Sequence, residues 1–327
     1  MYHNLFRITL LGTAISIILA ACGAPATEQP ITTLAPATEA IPTTTEIAST
    51  NTLEPTATQV VLGIVTGRIA FRSTRSGSDD IWVMNGDGSG LTNLTNGGHN
   101  ESPTWSPDGS RIAWCKFVGQ NLETFVMNAD GSDQINLSNN PADDCGPGPT
   151  WLPDGTKIAF TSNRDGNAEI YVMNADGSGQ TRLTDNPASD EGAAWSPDAK
   201  KIAFISDRDG QSDIYLMHAD GSSVTRLTNL GIGPGTIPHW SPDGTKIAFG
   251  SSDSNLYVIN ADGTAQTNLT KGGGLVGGPV WSPDGTQISF ASNRDGNIEL
   301  YVMNADGSNV TRLTDDPAED YGADWTQ

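Results

Sequence analysis

Trp195-Ser196-Pro197-Asp198 is one copy of a motif that recurs along the chain. Further copies begin at Trp105, Trp151, Trp240 and Trp281, and a shortened copy is Trp325-Thr326-Gln327. Three of these copies read Trp-Ser-Pro-Asp-Gly, and the others are near variants of it. Successive tryptophans are 46, 44, 45, 41 and 44 residues apart. A fixed period of this size indicates a repeat architecture in which each unit packs on the next.

Each repeat contains four short segments that are rich in Ile, Val, Phe, Tyr and Trp and are separated by Gly, Pro and Asp. In one repeat the Trp strand and its Ser-Pro-Asp-Gly-like turn are followed by strands at 157–160, 169–174 and 181–184. Such residues favour strands, and Asp-Gly is a strong hairpin signal. Four strands in a period of about 40–45 residues are typical of a β-propeller blade.

The number of blades follows from counting two repeated elements. Six hairpin turns contain Asp87, Asp130, Asp176, Asp220, Asp262 and Asp306, and six second strands contain Ile69, Ile112, Ile158, Ile202, Ile247 and Ile288. No Trp strand precedes Ile69, whereas a spare one lies at 321–326. We therefore predict an all-β, six-bladed propeller over 61–327, in which the C-terminal strand joins the first blade as its innermost strand. Ala199 replaces the turn glycine in one repeat, and a positive φ there predicts local strain.

The repeat resembles that of TolB-type propellers, which are related to WD repeats. The resemblance covers nearly all of 68–326. It is carried by Trp-Ser-Pro-Asp-Gly, Lys-Ile-Ala-Phe, Ser-Asn-Arg-Asp-Gly-Asn, Glu-Ile-Tyr-Val-Met-Asn-Ala-Asp-Gly-Ser and Arg-Leu-Thr. It implies a periplasmic propeller that binds partner proteins of the cell envelope. The family's namesake also has an N-terminal α/β domain, and here a lipobox and a spacer precede the propeller instead, so its role does not transfer directly.

Residues 1–21 have the proportions of a lipoprotein signal peptide, with a short apolar run followed by Leu19-Ala20-Ala21-Cys22. This tetrad resembles the bacterial lipobox, which predicts cleavage before Cys22 and lipidation of that residue; the alternative is an ordinary secretory signal. Residues 22–60 are rich in Thr, Pro and Ala and contain no Lys or Arg, which predicts a disordered spacer. The predicted location is extracytoplasmic, with a lipid anchor in a bacterial membrane.

The charge distribution limits the choice of partner. With 17 basic and 38 acidic residues, the net charge of −21 argues against nucleic acid, which requires a positive surface. Four blade-to-blade connections carry carboxylates just before the Trp strand: Glu101, Asp143, Asp144, Asp190, Glu191, Glu319 and Asp320. The connections at 230–238 and 272–279 carry none. We expect this acidic arc at the channel rim to receive a basic group or Ca²⁺; the alternative is a solvated rim without a ligand.

The loops after the second strands carry Arg75, Arg164, Arg208 and Arg294. We expect these arginines to form structural pairs with the acids that open the third strands, Asp80, Glu169, Asp213 and Glu299; the alternative is carboxylate or phosphate binding. Cys115 and Cys145 both fall toward the same face, in a compartment that permits disulfides, which predicts a bridge between them.

Two classes of function fit these patterns. The favoured hypothesis is a non-enzymatic binding scaffold for an envelope protein, peptide or glycan, with no resident cofactor apart from Ca²⁺ at the rim. The alternative is a lyase or glycan-processing enzyme that uses rim carboxylates and a metal. The sequence contains no Gly-x-Ser-x-Gly, His-Glu-x-x-His or Cys-x-x-Cys motif. A third hypothesis is a purely structural lipoprotein.

Overall fold

The computed structural model describes residues 67–233, 236–272, 274 and 276–326, without the side chain of residue 276. The predicted signal peptide, Cys22 and spacer lie outside the described residues. Within them the chain forms 24 strands. None of the residues that the structure describes forms a helix long and apolar enough to span a bilayer.

The strands form six four-stranded antiparallel sheets, one for each predicted blade. Blade 1 contains β1 (Arg68–Ser73), β2 (Asp80–Asn85), β3 (Thr92–Asn93) and β24 (Asp320–Thr326). Blade 2 contains β4 (Asn100–Trp105), β5 (Arg111–Val118), β6 (Asn121–Asn128) and β7 (Ile135–Asn136). Blade 3 contains β8 (Thr150–Trp151), β9 (Lys157–Ser162), β10 (Glu169–Asn174) and β11 (Thr181–Arg182).

The remaining blades repeat this arrangement. Blade 4 contains β12 (Asp190–Trp195), β13 (Lys201–Ser206), β14 (Asp213–His218) and β15 (Thr225–Arg226). Blade 5 contains β16 (His239–Trp240), β17 (Lys246–Gly250), β18 (Leu256–Asn260) and β19 (Thr267–Asn268). Blade 6 contains β20 (Val276–Trp281), β21 (Gln287–Ser292), β22 (Glu299–Asn304) and β23 (Thr311–Arg312).

The first blade is completed by the last strand of the chain. Its strand order is β24-β1-β2-β3, and β24 pairs with β1 in an antiparallel register that places Trp325 opposite Ile69. The predicted six-bladed fold and its closure by the C-terminal strand are therefore confirmed.

The core lies between the blades. Six buried clusters each combine residues of two neighbouring blades, and the series runs from blades 1 and 2 around to blades 6 and 1. For example, Ala113 and Val126 of blade 2 pack with Phe160 and Tyr171 of blade 3. Each sheet is thus covered on both faces, which explains the nearly continuous apolar runs in its strands.

The repeated tryptophans link the innermost strands. Trp151 Nε1 donates to the backbone oxygen of Thr104 in the preceding blade at 3.2 Å, and Trp240 Nε1 donates to that of Ala194 at 3.1 Å. In these blades the indole ring contributes both apolar area and a hydrogen bond between blades, whereas the buried Nε1 atoms of Trp105, Trp195 and Trp325 have no hydrogen-bond partner among the described residues.

The turn after each Trp strand is held by its own side chains. Asp108 accepts hydrogen bonds from Ser106 Oγ at 2.6 Å and from the backbone nitrogen of Ser110 at 3.0 Å. Gly109 follows with a φ of 66°. Ala199 occupies the same turn position in blade 4 with a φ of 59°, so the predicted local strain has a backbone basis.

Candidate functional site

The two faces of the propeller differ in how many of their polar side chains are already hydrogen-bonded within their own turn or loop. One face, which we call the turn face, carries the Ser-Pro-Asp-Gly and Asn-Ala-Asp-Gly turns. Its aspartates are engaged within their own turns: Asp176 accepts from the backbone nitrogen and the hydroxyl of Ser178 at 2.9 and 2.6 Å. These bonds lower the pKa of Asp176. The opposite face, which we call the irregular face, carries the loops after the second strands and the blade-to-blade connections.

An aspartate–arginine pair closes three blades at the irregular face. In blade 4, Arg208 Nη2 donates to both carboxylate oxygens of Asp190, at 2.9 and 2.8 Å. The equivalent pairs are Arg164–Asp144 in blade 3 and Arg75–Asp320 in blade 1. All three aspartates are fully buried. Burial raises the pKa of each, while the facing guanidinium opposes that shift by favouring the charged form.

The predicted partners of these arginines were wrong. Three of the acids that open the third strands bind fourth-strand arginines instead, as in Arg182–Glu169 at 2.6 Å and Arg312–Glu299 at 2.8 Å, whereas Asp80 accepts from the Thr95 hydroxyl at 2.9 Å. The loop arginines turn the other way because they stack on the rings of their own sheet; the Arg208 guanidinium lies 4.9 Å from the Tyr215 ring centroid. This stacking brings the amino edge of the guanidinium to the innermost strand.

The seven predicted rim carboxylates therefore have unequal surroundings. Asp144, Asp190 and Asp320 are the buried members of the clamps just described. Asp143 accepts a hydrogen bond from the backbone nitrogen of Leu122 at 2.9 Å. These four side chains are engaged in holding the fold.

The other three lie closer to solvent. Glu101 pairs with Arg72 at 2.9 Å and remains partly exposed, and burial raises its pKa. Glu191 is half-buried, and no Arg or Lys of the described residues lies within ion-pair distance of it. Burial and the neighbouring Asp207 raise the pKa of Glu191. Glu319 is exposed. Binding of a ligand by these carboxylates stays a prediction.

The innermost strands enclose a central channel with a volume of about 370 Å³. Trp105, Trp151 and Ile237 contribute to its largely apolar wall. A polar pair also lies in this wall: His239 Nε2 is 3.8 Å from Asp324 Oδ1. Apolar cavities with a few polar groups are typical of ligand pockets. The sequence predicts a central channel with an acidic rim but not this largely apolar wall, which is lined mainly by the repeat's own tryptophans and prolines.

Blade 2 carries a hairpin that distinguishes it from the other blades. Strands β5 and β6 have eight residues each, whereas the second and third strands elsewhere have five or six, so strand pairing continues farther toward the irregular face. Its tip presents Phe117 and Val118, with exposed fractions of 43% and 46%. The His99 ring packs edge-on against Phe117, with 5.9 Å between ring centroids.

A disulfide holds this hairpin to the neighbouring connection. Cys115 in β5 is bonded to Cys145, and both side chains are fully buried. The bridge ties the connection between blades 2 and 3 to the base of the hairpin, which restricts the motion of its tip. The tip therefore presents two apolar side chains on a braced support.

Metal ligands do not converge in the described part of the chain. There, no group of three or more His, Cys, Asp or Glu side chains is close enough together to hold a metal ion. The acidic arc thus offers scattered carboxylates, each with its own local surroundings.

The family of the chain follows from this geometry together with the repeat. A family model for the TolB beta propeller domain matches residues 100–236 and 231–327. The chain belongs to the TolB β-propeller family. Its structure is similar to TolB from Acinetobacter baumannii, with 25% identity, a TM-score of 0.68, and coverage of 81% of this chain and 67% of that one.

Two further structures share the fold of this TolB-family propeller. A candidate TolB from Agrobacterium tumefaciens is 23% identical, with a TM-score of 0.61 and coverage of 80% of this chain and 99% of that one. A chain of a nidogen–laminin complex is 12% identical, with a TM-score of 0.63 and coverage of 80% and 98%. No curated protein matches the chain.

Proposed function

We propose that this protein is an extracytoplasmic, lipid-anchored scaffold whose irregular face binds a protein or peptide of the cell envelope. The observation that carries the proposal is the exposed pair Phe117 and Val118 at the tip of the disulfide-braced hairpin. Aromatic side chains on rigid supports are frequent anchors of protein interfaces, because they bury a large area at a small entropic cost. Membership of the TolB family supports both the binding role and the location.

Polar groups near the hairpin suit the rim of such an interface. His99 contacts Phe117, and its Nδ1 lies 3.1 Å from Asp79 Oδ2. Asp79 in turn accepts from Arg72, which also binds Glu101. An apolar side chain beside a charged network matches the usual layout of a protein interface, in which a buried apolar centre is bordered by a polar rim. A basic segment of the partner, or Ca²⁺, is the expected ligand of the remaining open carboxylates, Glu191 and Glu319.

Anchoring through Cys22 completes the proposal. Lipid chains on this residue, followed by a spacer, would keep the propeller near the membrane while leaving its irregular face accessible. The Cys22→Ser variant should partition into the aqueous phase of a detergent extraction, whereas the parent protein should enter the detergent phase. Equal partitioning of the two proteins would contradict the anchor.

The enzymatic alternative receives less support from this geometry. Four of the seven rim carboxylates are already bound to arginines, and the described residues bring no three metal-ligating side chains together. A glycan is the alternative ligand class for the scaffold, and site-specific crosslinking distinguishes it from a protein partner.

The binding surface can be tested by site-specific photo-crosslinking in intact cells. A photo-reactive phenylalanine analogue at position 117 should form a crosslink to one partner protein, identified by mass spectrometry in replicate experiments. The matched control is position 135, because Ile135 is 55% exposed on the outer strand of the same blade. A protein adduct specific to position 117 that Val118→Ser weakens supports the proposal. Equal labelling from both positions, or no protein adduct at 117, contradicts it.

A further inference from the structure

Blade 6 contains a clamp arginine without its aspartate. Arg294 lies in the loop after the second strand, as do Arg75, Arg164 and Arg208 in their blades. The register places Val276 opposite Ser292, where Asp190 stands opposite Ser206 in blade 4. No carboxylate of the described residues lies within ion-pair distance of Arg294. The guanidinium in blade 6 therefore lacks the ligand that its three counterparts hold.

The guanidinium nevertheless keeps the orientation of an occupied clamp. It lies 5.1 Å from the Phe290 ring centroid and 4.9 Å from that of Tyr301. The corresponding distances for Arg208 are 5.3 and 4.9 Å. Its Nε donates to Ser292 Oγ at 3.2 Å, as Arg208 Nε donates to Ser206 Oγ at 2.9 Å. Ring stacking and this hydrogen bond thus fix the side chain before any ligand arrives.

The other blades show that losing the aspartate normally removes the arginine as well. In blade 2 the clamp position is Asn100, opposite Lys116, and the hairpin loop contains no arginine. In blade 5 the loop is Ser251-Ser252-Asp253-Ser254-Asn255, and the preceding connection contains no acid. Only in blade 6 does the arginine stand without the acid. A fold requirement alone does not account for that arrangement, because blades 2 and 5 close without either residue.

We infer that Arg294 binds an aspartate side chain carried by an extended segment of a partner polypeptide. The three occupied clamps define the ligand, since each presents a carboxylate from an extended or connecting segment at the innermost strand. A planar guanidinium with a free edge is suited to bidentate carboxylate binding. The site lies on the irregular face but is independent of Phe117, so the hairpin proposal and this one can fail separately.

The test uses the full chain labelled with ¹⁵N at arginine and follows the Nε–Hε signals by NMR. The probe is the blocked peptide acetyl-Thr-Asp-Gly-amide, and acetyl-Thr-Asn-Gly-amide is its matched control. We expect the Asp peptide to shift the Arg294 signal in a saturable way. The Asn peptide should bind more weakly than the Asp peptide, by a factor of about ten or more. The Arg208 signal should not respond, because Asp190 already occupies that guanidinium.

Two variants make the inference falsifiable. Val276→Asp places an aspartate at the position that holds one in blades 1 and 4, so it should abolish the peptide response by forming an internal clamp. Arg294→Gln removes the charge without adding an acid and should also abolish peptide binding. An unchanged affinity in Arg294→Gln, equal binding of the Asp and Asn peptides, or tighter binding of glucuronate than of the Asp peptide would overturn the assignment.

Discussion

Trp325 lies directly opposite Ile69 in an antiparallel strand pair that joins the two ends of the propeller. Both side chains are buried in the cluster that links blades 6 and 1, together with Val280 and Leu300. Closure therefore depends on packing between blades as well as on the backbone hydrogen bonds of blade 1.

Removal of the closing strand tests this dependence. A chain that lacks residues 321–327 should lose cooperative thermal unfolding, since blade 1 loses its innermost strand and blade 6 loses its neighbour. The milder Trp325→Ala variant should lower the free energy of unfolding by about 3–5 kcal/mol. Chemical denaturation followed by circular dichroism measures both effects. A truncated chain with the parental midpoint would show that closure contributes no stability.

The clamps predict different costs for two equivalent arginines. Arg208→Ala leaves the buried carboxylate of Asp190 without its cation, and the loss of one partner of a buried pair costs about 3–5 kcal/mol. Arg294→Ala leaves no buried acid unpaired, so its cost should stay below about 1–2 kcal/mol, from lost stacking alone. Urea unfolding of the two variants provides the comparison. Equal costs would contradict the assignment of Asp190 as a buried partner.

Backbone strain at Ala199 predicts a stabilising substitution. Glycine adopts a positive φ without the steric cost borne by alanine, so Ala199→Gly should raise the free energy of unfolding by about 0.5–1 kcal/mol. The converse control is Gly155→Ala, at the equivalent turn with a φ of 71°. It should destabilise the protein by a similar amount, because an added Cβ makes only an ordinary van der Waals contact with Pro107 Cδ at 3.8 Å and only the backbone conformation is strained. Effects of the same sign would contradict this explanation.

The disulfide predicts a stability loss that is tied to the hairpin. The bridge joins residues that are 30 positions apart, and a loop of this length corresponds to about 3–4 kcal/mol in the chain-entropy account. The double variant Cys115→Ser/Cys145→Ser should lose about that amount and should show faster amide exchange in β5 and β6. Alkylation of the unfolded, non-reduced protein followed by mass spectrometry checks the bridge itself; two free thiols at these positions would remove it.

The turn aspartates predict a pH dependence on the acid side. Hydrogen bonds from Ser106 and Ser110 lower the pKa of Asp108 to about 2. Because this folded-state value lies below the usual value of about 3.9, the contribution of Asp108 is present above about pH 4 and is lost as the pH falls toward 2. The difference in melting temperature between the parent and Asp108→Asn should therefore shrink over that interval. A constant difference would show that the charge has no role.

The repeat made most of the fold predictable. Blade number, strand order and closure follow from counting Asp-Gly turns and Trp strands, since each blade uses the same local signals and the missing first strand has one possible source. The positive φ of Ala199 was anticipated for the same reason, by comparison with the glycines of the other copies. Strand and turn positions depend on residues that are close together in sequence, and closure followed from the count of the repeated strands.

The candidate site was less predictable. The partner of Arg208 was misassigned because stacking on Phe204 and Tyr215 determines which way the guanidinium turns, and sequence proximity favoured the wrong acid. The blade 2 hairpin had only a faint signal, Phe117-Val118-Gly119-Gln120 where blade 3 has Asn163-Arg164-Asp165-Gly166, in a segment of unchanged length. The channel itself was expected from the ring of blades, but its apolar wall had no separate signal, because its lining residues also serve the repeat.

By itself, the sequence determined the architecture, since a propeller is a sum of local strand and turn preferences repeated at a fixed period. The tertiary structure decided which charges are used inside the fold and which are left for a partner. That division depends on burial and on contacts between segments far apart in the chain, such as Arg75 with Asp320. Arg294 and Arg208 therefore look alike in the repeat, yet the guanidinium of Arg208 holds the fully buried carboxylate of Asp190 while that of Arg294 stands open.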